Sequence, residues 1–190
     1  MEKIKLNDTA AFDELYYRYS QRLLVYFHRM LRGDAEKAQD FLQDLFVKII
    51  DKKHLFREGA RFYSWIYTLA HNMCKNEYRR LKVRKIVDRA SDRDGATAFV
   101  DADSIGIENQ LDNHHFKKLV LKELEKFDVV QRSTFILRFQ EHLSIREISE
   151  ILDCAEGTIK SRLFYVTKKL AKKLKEYHPQ QKEVINHGIK

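Results

Sequence analysis

In 190 residues there is one proline, Pro179, and it stands close to the end of the sequence. A proline inside a helix removes a hydrogen bond and clashes with the preceding turn, so its near absence leaves long helices unbroken. The six glycines mostly fall between stretches of helical periodicity. An all-α fold is therefore expected. With 44% hydrophobic residues the chain can build real cores, in one domain or two small ones. Cys74 and Cys154 lie far apart, without the spacing of a disulfide framework or a zinc site. They read as packed or idle thiols in a reducing compartment. The opening MEKIKLNDTAAFDEL lacks the apolar core of a signal peptide, and no apolar run is long enough to span a bilayer. A cytoplasmic protein without membrane insertion is the expectation.

The most informative stretch runs from Ser144 to Lys175. Ser144 followed three residues later by Glu147 is a capping box, which fixes a helix start. Ile145, Ile148, Ile151 and Leu152 then recur at helical spacing. Asp153-Cys154-Ala155 forms a three-residue turn, after which Ile159, Leu163, Val166, Leu170 and Leu174 mark the buried stripe of a second helix. The opposite side carries Ser161, Tyr165, Lys168 and Lys172, flanked by Thr158, Lys160, Arg162 and Phe164. From Cys154 to Lys175 seven Lys or Arg face Glu156 alone, a net of +6. The pattern is a helix-turn-helix with a face suited to a groove lined by phosphates. The chain as a whole carries +8, in keeping with an acidic partner.

Before that stretch, Asp8 or Thr9 caps a first helix whose apolar positions include Phe12, Leu15, Tyr16, Tyr19, Leu23, Phe27 and Met30. Arg32-Gly33 ends it and Asp34 opens a second, with Ala38, Phe41, Leu42, Leu45, Phe46 and Ile49 inward. Its outer side offers Asp40, Gln43 and Asp44, either a docking face for a basic protein or solvated acids that favour the helix dipole. Lys52 to Arg61 reads as a loop. Its Leu55 and Phe56 either tuck under the domain or receive an unstacked base. A third helix begins near Phe62, with Phe62, Trp65, Ile66, Leu69 and Met73 inward. Between Lys75 and Ile86 six Lys or Arg face one Glu, a net of +5, and Tyr67, His71 and Tyr78 are expected among the exposed positions.

The segment Phe12 to Arg80, through FDELYYRY, AQDFLQDLFVKI, FYSWIYTLAHN and NEYRR, resembles the promoter-melting and polymerase-docking domain of the extracytoplasmic-function (ECF) sigma factors of bacterial RNA polymerase. Leu124 to Leu174, through TFILRFQEHLSIREISEILDCAEGTIKSRL, resembles the second domain of the same family. The resemblance implies that Asp40, Gln43 and Asp44 dock on core RNA polymerase. It implies that Phe56, Leu69 and Asn72 line a pocket for a base flipped from the minus-ten element, at a cost in unstacking that the pocket offsets. Lys75, Arg79, Arg80, Lys82, Arg84 and Lys85 would then hold the backbone near the melted strands, and Trp65 is core. Thr158, Lys160, Ser161, Arg162, Phe164, Tyr165 and Lys168 would meet the minus-thirty-five element in the major groove. Partners implied are core RNA polymerase, promoter DNA as duplex and melted strand, and an anti-sigma protein.

The expected architecture is two small helical domains, 1–86 and 113–176, joined by a flexible acidic linker over 87–112 and followed by a polar tail over 177–190. Asp88 to Asp112 holds seven acids and two arginines, a net of −5. It reads either as a mimic of nucleic acid or as a plain tether. His114-His115 suggests a metal at first, but adjacent helical residues point about a hundred degrees apart and no third ligand is near. Leu124-Glu125-Lys126-Phe127 stands where many family members begin the second domain with Leu-Pro. No metal-ligand spacing, phosphate-cradling glycine loop or nucleophile motif appears, so neither catalysis nor a cofactor is expected. The competing reading is a stand-alone helix-turn-helix regulator with an N-terminal sensing or dimerising bundle.

Overall fold

Asp8, Asp34, Asp128 and Ser144 each turn a side-chain oxygen onto the first-turn amides of the helix that follows, and these caps fix where the chain starts to coil. The computed structural model describes residues 1–57, 59–89 and 111–175. Its helices are α1 (Glu2–Lys5), α2 (Thr9–Met30), α3 (Ala35–Lys52), α4 (Phe62–Arg89), α5 (Leu111–Leu124), α6 (Val129–Phe139), α7 (Ile145–Leu152) and α8 (Glu156–Leu174), with a 3₁₀ turn at Lys53–Leu55. Among the described residues there is no strand. The all-α expectation holds. Most of the acidic linker, the polar tail and the side chains of Lys85, His114 and His115 lie outside the described residues.

In the N-terminal half α2, α3 and α4 pack around Leu23, Phe27, Met30, Ala38, Leu42, Leu45, Ile49, Ile66 and Ala70. Each large apolar side chain buried there contributes about 1.5–3 kcal/mol. Asp8, not Thr9, caps α2, accepting from the Ala11 amide at 3.0 Å. Arg32 and Gly33 then take positive φ, 62° and 83°, the left-handed reversal that lets α3 fold back along α2. Glu77 of α4 is buried between Lys37 at 2.5 Å and Arg80 at 3.0 Å. Burial would raise its carboxyl, yet the two cations hold it below the usual range.

In the C-terminal half Leu124, Phe127, Val166, Leu170 and Leu174 join α5 to α8. Arg132 on α6 is fully buried. Its Nε donates to the Leu124 carbonyl at 3.1 Å and its Nη2 to those of Glu125 and Phe127 at 2.7 and 3.2 Å, satisfying the end of α5.

The two halves are not separate bodies. One apolar cluster runs from Leu23 and Tyr67 in the first half to Leu137 and Ile148 in the second, and α4 lies against α6 and α7. This corrects the placing of Tyr67 and His71 on an exposed face. Both are buried, because that side of α4 looks across to the other half, where Glu141 and Ser133 meet them. Tyr16, by contrast, is 45% exposed although it packs its ring on Phe46. The short α1, with Ile4 buried, was not foreseen, and α3 and its 3₁₀ extension take up the first part of the expected loop.

Candidate nucleic-acid interface

The helix-turn-helix forms as its sequence dictates. The capping box is complete: the Ser144 Oγ accepts from the Glu147 amide at 3.2 Å, and the Ser144 amide donates back to the Glu147 carboxylate at 2.9 Å. Asp153 adopts φ 49° and ends α7, and the Cys154 amide donates to the Ser149 carbonyl at 3.1 Å. Ile159, Val166 and Leu170 are buried, so α8 is held by one stripe and the opposite stripe is free. Lys160, Ser161, Phe164, Tyr165 and Lys168 are all exposed, while Thr158 and Arg162 are half-buried at the flanks. Phe164 and Tyr165 stand 58% and 64% exposed with rings 5.5 Å apart, and the Lys168 ammonium lies 5.5 Å from the Phe164 centroid. Large aromatics left in water on a basic helix are paid for only if a ligand covers them. Ala155 at the start of α8 supplies no side-chain cap, and the Thr158 amide turns to the Ala155 carbonyl at 2.9 Å. Arg162 is partly spoken for, donating to the Cys154 sulfur at 3.3 Å.

On α3, Asp40, Gln43 and Asp44 are exposed, and among the described residues neither acid has an ion-pair partner. Val47 and Ile50, 57% and 43% exposed, prolong the same helical face. The result is an acidic strip edged with apolar groups, the composition of a protein-docking face. The acids are legible in the sequence, whereas the exposure of Val47 and Ile50 has only their helical spacing from Gln43 and Asp44 as a signal.

The positions expected to receive a base differ in exposure. Phe56 is half-buried, edge-on to Trp65 and Phe62 with centroids 5.4 and 6.1 Å away, while Leu55 stays exposed. The loop is clamped from below by α1, where the Lys5 ammonium donates to the Phe56 carbonyl at 2.8 Å and Lys53 donates to Asn7. Leu69 is half-buried and Asn72, one turn further along α4, is exposed. Beyond them Lys75 and Arg79 are exposed, whereas Arg80 is engaged with Glu77. Phe56 thus meets α4 at Phe62 and Trp65, while Leu69 and Asn72 follow one and two turns beyond Trp65, ahead of the α4 cations.

Among the described residues no group of three His, Cys, Asp or Glu side chains is arranged to hold a metal ion, and no helix is long and apolar enough to cross a membrane. Cys74 is buried, and burial pushes its thiol well above the ordinary range, so it is a packed group.

Residues 15–84 match the family Sigma-70 region 2, and residues 117–170 match Sigma-70, region 4. The chain is 28% identical to the ECF RNA polymerase sigma-E factor of Haemophilus influenzae over 181 residues, covering 92% of this chain and 93% of that one. It is likewise 28% identical to the RNA polymerase sigma-H factor of Pseudomonas aeruginosa over 179 residues, 92% of this chain and 91% of that one. Among solved structures it is similar to the sigma factor RpoE from Bartonella quintana in complex with the anti-sigma factor NepR, at 25% identity with a TM-score of 0.68. That likeness covers 87% of this chain and 97% of that chain, so it takes in both halves.

Proposed function

Because the chain belongs to the extracytoplasmic-function sigma factors of the sigma-70 family, we propose that its two halves divide promoter recognition between them as follows. The protein binds core RNA polymerase in the cytoplasm, directs it to promoter DNA and initiates transcription. It contributes no bond-making chemistry of its own. The α3 strip of Asp40, Gln43 and Asp44 docks on the polymerase, with Val47 and Ile50 closing over apolar contacts. Phe56, Leu69 and Asn72 receive an unstacked base of the minus-ten element, and Lys75, Arg79 and Arg80 run along the backbone beside it. Lys5 positions the loop that carries Phe56. On α8, Lys160, Ser161, Phe164 and Tyr165 reach base edges of the minus-thirty-five element, while Lys168, Arg162 and Thr158 set register on phosphates. Residues 1–86 and 113–176 are the two working units. An anti-sigma protein that masks one or both of them is the regulator that this family membership calls for.

The observation that carries this reading is the coexistence, in the family's order, of an unpaired acidic face on α3 and an aromatic, basic face on α8. A plain duplex-binding regulator needs only the second. The test is transcription from a pool of promoter fragments by purified core polymerase with and without the protein. Start-specific transcripts that need both components support the reading. A protein that binds duplex tightly alone and gives core polymerase no promoter would instead be the stand-alone regulator.

A further inference from the structure

The chain between α3 and α4 carries the Phe56 ring, yet little of it is packed. Leu55, Arg57, Gly59, Ala60 and Arg61 are exposed, and Gly59 takes φ 77°, a left-handed bend that suits a residue without a side chain. Two main-chain hydrogen bonds close short turns within it, from the Phe56 amide to the Lys53 carbonyl at 3.3 Å and from the Ala60 amide to the Arg57 carbonyl at 3.2 Å. The Phe56 ring meets Phe62 and Trp65 edge-on. Those contacts place the ring and leave the course of the main chain to be fixed from elsewhere.

It is fixed by α1. At four residues this helix is too short to persist by itself, and it stays on the protein because Ile4 is buried while α1 packs on α2 and on the 3₁₀ turn. Asn7, at φ 63°, then reverses the chain into the Asp8 cap of α2. Two ties run from this segment to the loop. The Lys5 ammonium donates to the Phe56 carbonyl at 2.8 Å, and Lys53 donates to the Asn7 side chain. They grip the 3₁₀ turn at its first residue and at the residue that ends it. Between α1 and the rest of the loop, Met1, Glu2, Lys3, Lys5, Phe56 and Gly59 line a recess of about 270 Å³. The loop therefore hangs on the ties where continuous packing is missing, and it has room to shift once they are lost.

Telling one base from another requires the groups that face it to be held within about 0.5 Å. A charge-assisted bond to a main-chain oxygen does this well, because it fixes the path of the backbone and is stronger than a neutral one. Lys5 is half-buried, which spares that bond from full competition with water. We propose that α1 is a specificity-determining part of the strand-capturing end, with Lys5 a positioning residue that acts through the Phe56 carbonyl to set how sharply the captured minus-ten base is told from the other three. The proposal rests on the sigma reading and adds to it an element outside the residues that meet the strand.

The test uses the full chain as wild type, Lys5→Met, which keeps the stem and removes the donor, and Lys5→Arg, which keeps a donor. Asn7→Gly removes the other tie and tolerates the same φ. Circular dichroism checks that helix content is unchanged. Amide hydrogen exchange at Phe56 and Ala60, measured without polymerase, reports the loop. Lys5→Met should quicken it about tenfold, the factor that one charge-assisted hydrogen bond is worth. Promoter opening by core polymerase, on templates that differ only at the captured base, reports discrimination. For Lys5→Met the rate on the preferred base should fall about tenfold and on the other bases by less than about twofold, so the ratio between them shrinks. Lys5→Arg should stay within about twofold of wild type. Asn7→Gly, whose tie is exposed, should move the same way by about threefold. Should Lys5→Met lose helix content, Asn7→Gly decides alone. Unchanged exchange in the folded variants would overturn the proposal, and so would an equal loss on all templates, which marks a merely structural role. A wild type that gives core polymerase no promoter defeats the sigma reading, and base discrimination falls with it. A wild type that opens promoters while its variants keep full discrimination defeats only the role of α1.

Discussion

Arg132 serves two helix ends at once, the carbonyls that finish α5 and the Met30 carbonyl that finishes α2. Replacing it by methionine keeps much of the volume but removes their charged donor, leaving Met30 with the Tyr78 hydroxyl and Leu124 with the Phe127 amide. Arg132→Met should cost about 3 kcal/mol or more in urea denaturation, read as a lower midpoint at unchanged slope. His71 offers a second residue-level test. Burial, then the Lys75 and Arg162 charges, lowers its pKa from 6.5 to about 4, so the folded protein holds it neutral beside Ser133. A histidine held below its unfolded value gives stability that is complete above about pH 6.5 and is lost as the pH falls toward about 4. The loss should approach 1.4 kcal/mol per pH unit, roughly, inside that window. Melting temperatures of wild type and His71→Gln between pH 7 and pH 5 check this, since the variant should show a flatter dependence. These two roles were not legible in the sequence. His71 and Tyr67 have partners 62 and 74 residues away, so periodicity within α4 can say which side they are on but not what covers that side.

Helices announce themselves locally, and most of this fold was legible at that scale. The caps at Asp8, Asp34 and Ser144, the left-handed turn at Arg32-Gly33 and the three-residue turn before α8 each depend on residues within one helical turn of each other. The free face of α8 followed from the same rule, because its buried stripe is continuous. Elements too short to show a period, α1 and the 3₁₀ turn, escaped, and with them the clamp of Lys5 on the Phe56 loop. The reading helix depends on its neighbour for orientation, so Ser144→Ala should cost about 1 kcal/mol and fray α7. Amide hydrogen exchange in Arg146 to Ile148 should quicken well before that of α8. Equal protection in wild type and variant would mean that packing alone sets the start of α7.

As a whole molecule the chain carries the proposed docking face, strand-capturing end and duplex-reading helix on one body. Separate labour predicts separate defects. Asn72→Ala should slow strand opening with little change in closed-complex affinity, whereas Lys160→Ala should weaken minus-thirty-five duplex binding by about tenfold and leave later steps intact once bound. Fluorescence opening assays and duplex titrations at one fixed salt concentration distinguish them, and equal effects on both steps would count against the division. The seam between the halves also bears on solubility. Because one apolar cluster spans both, cutting the chain between them would expose groups such as Tyr67 and Leu137 to water, so either half made alone should aggregate more readily than the whole.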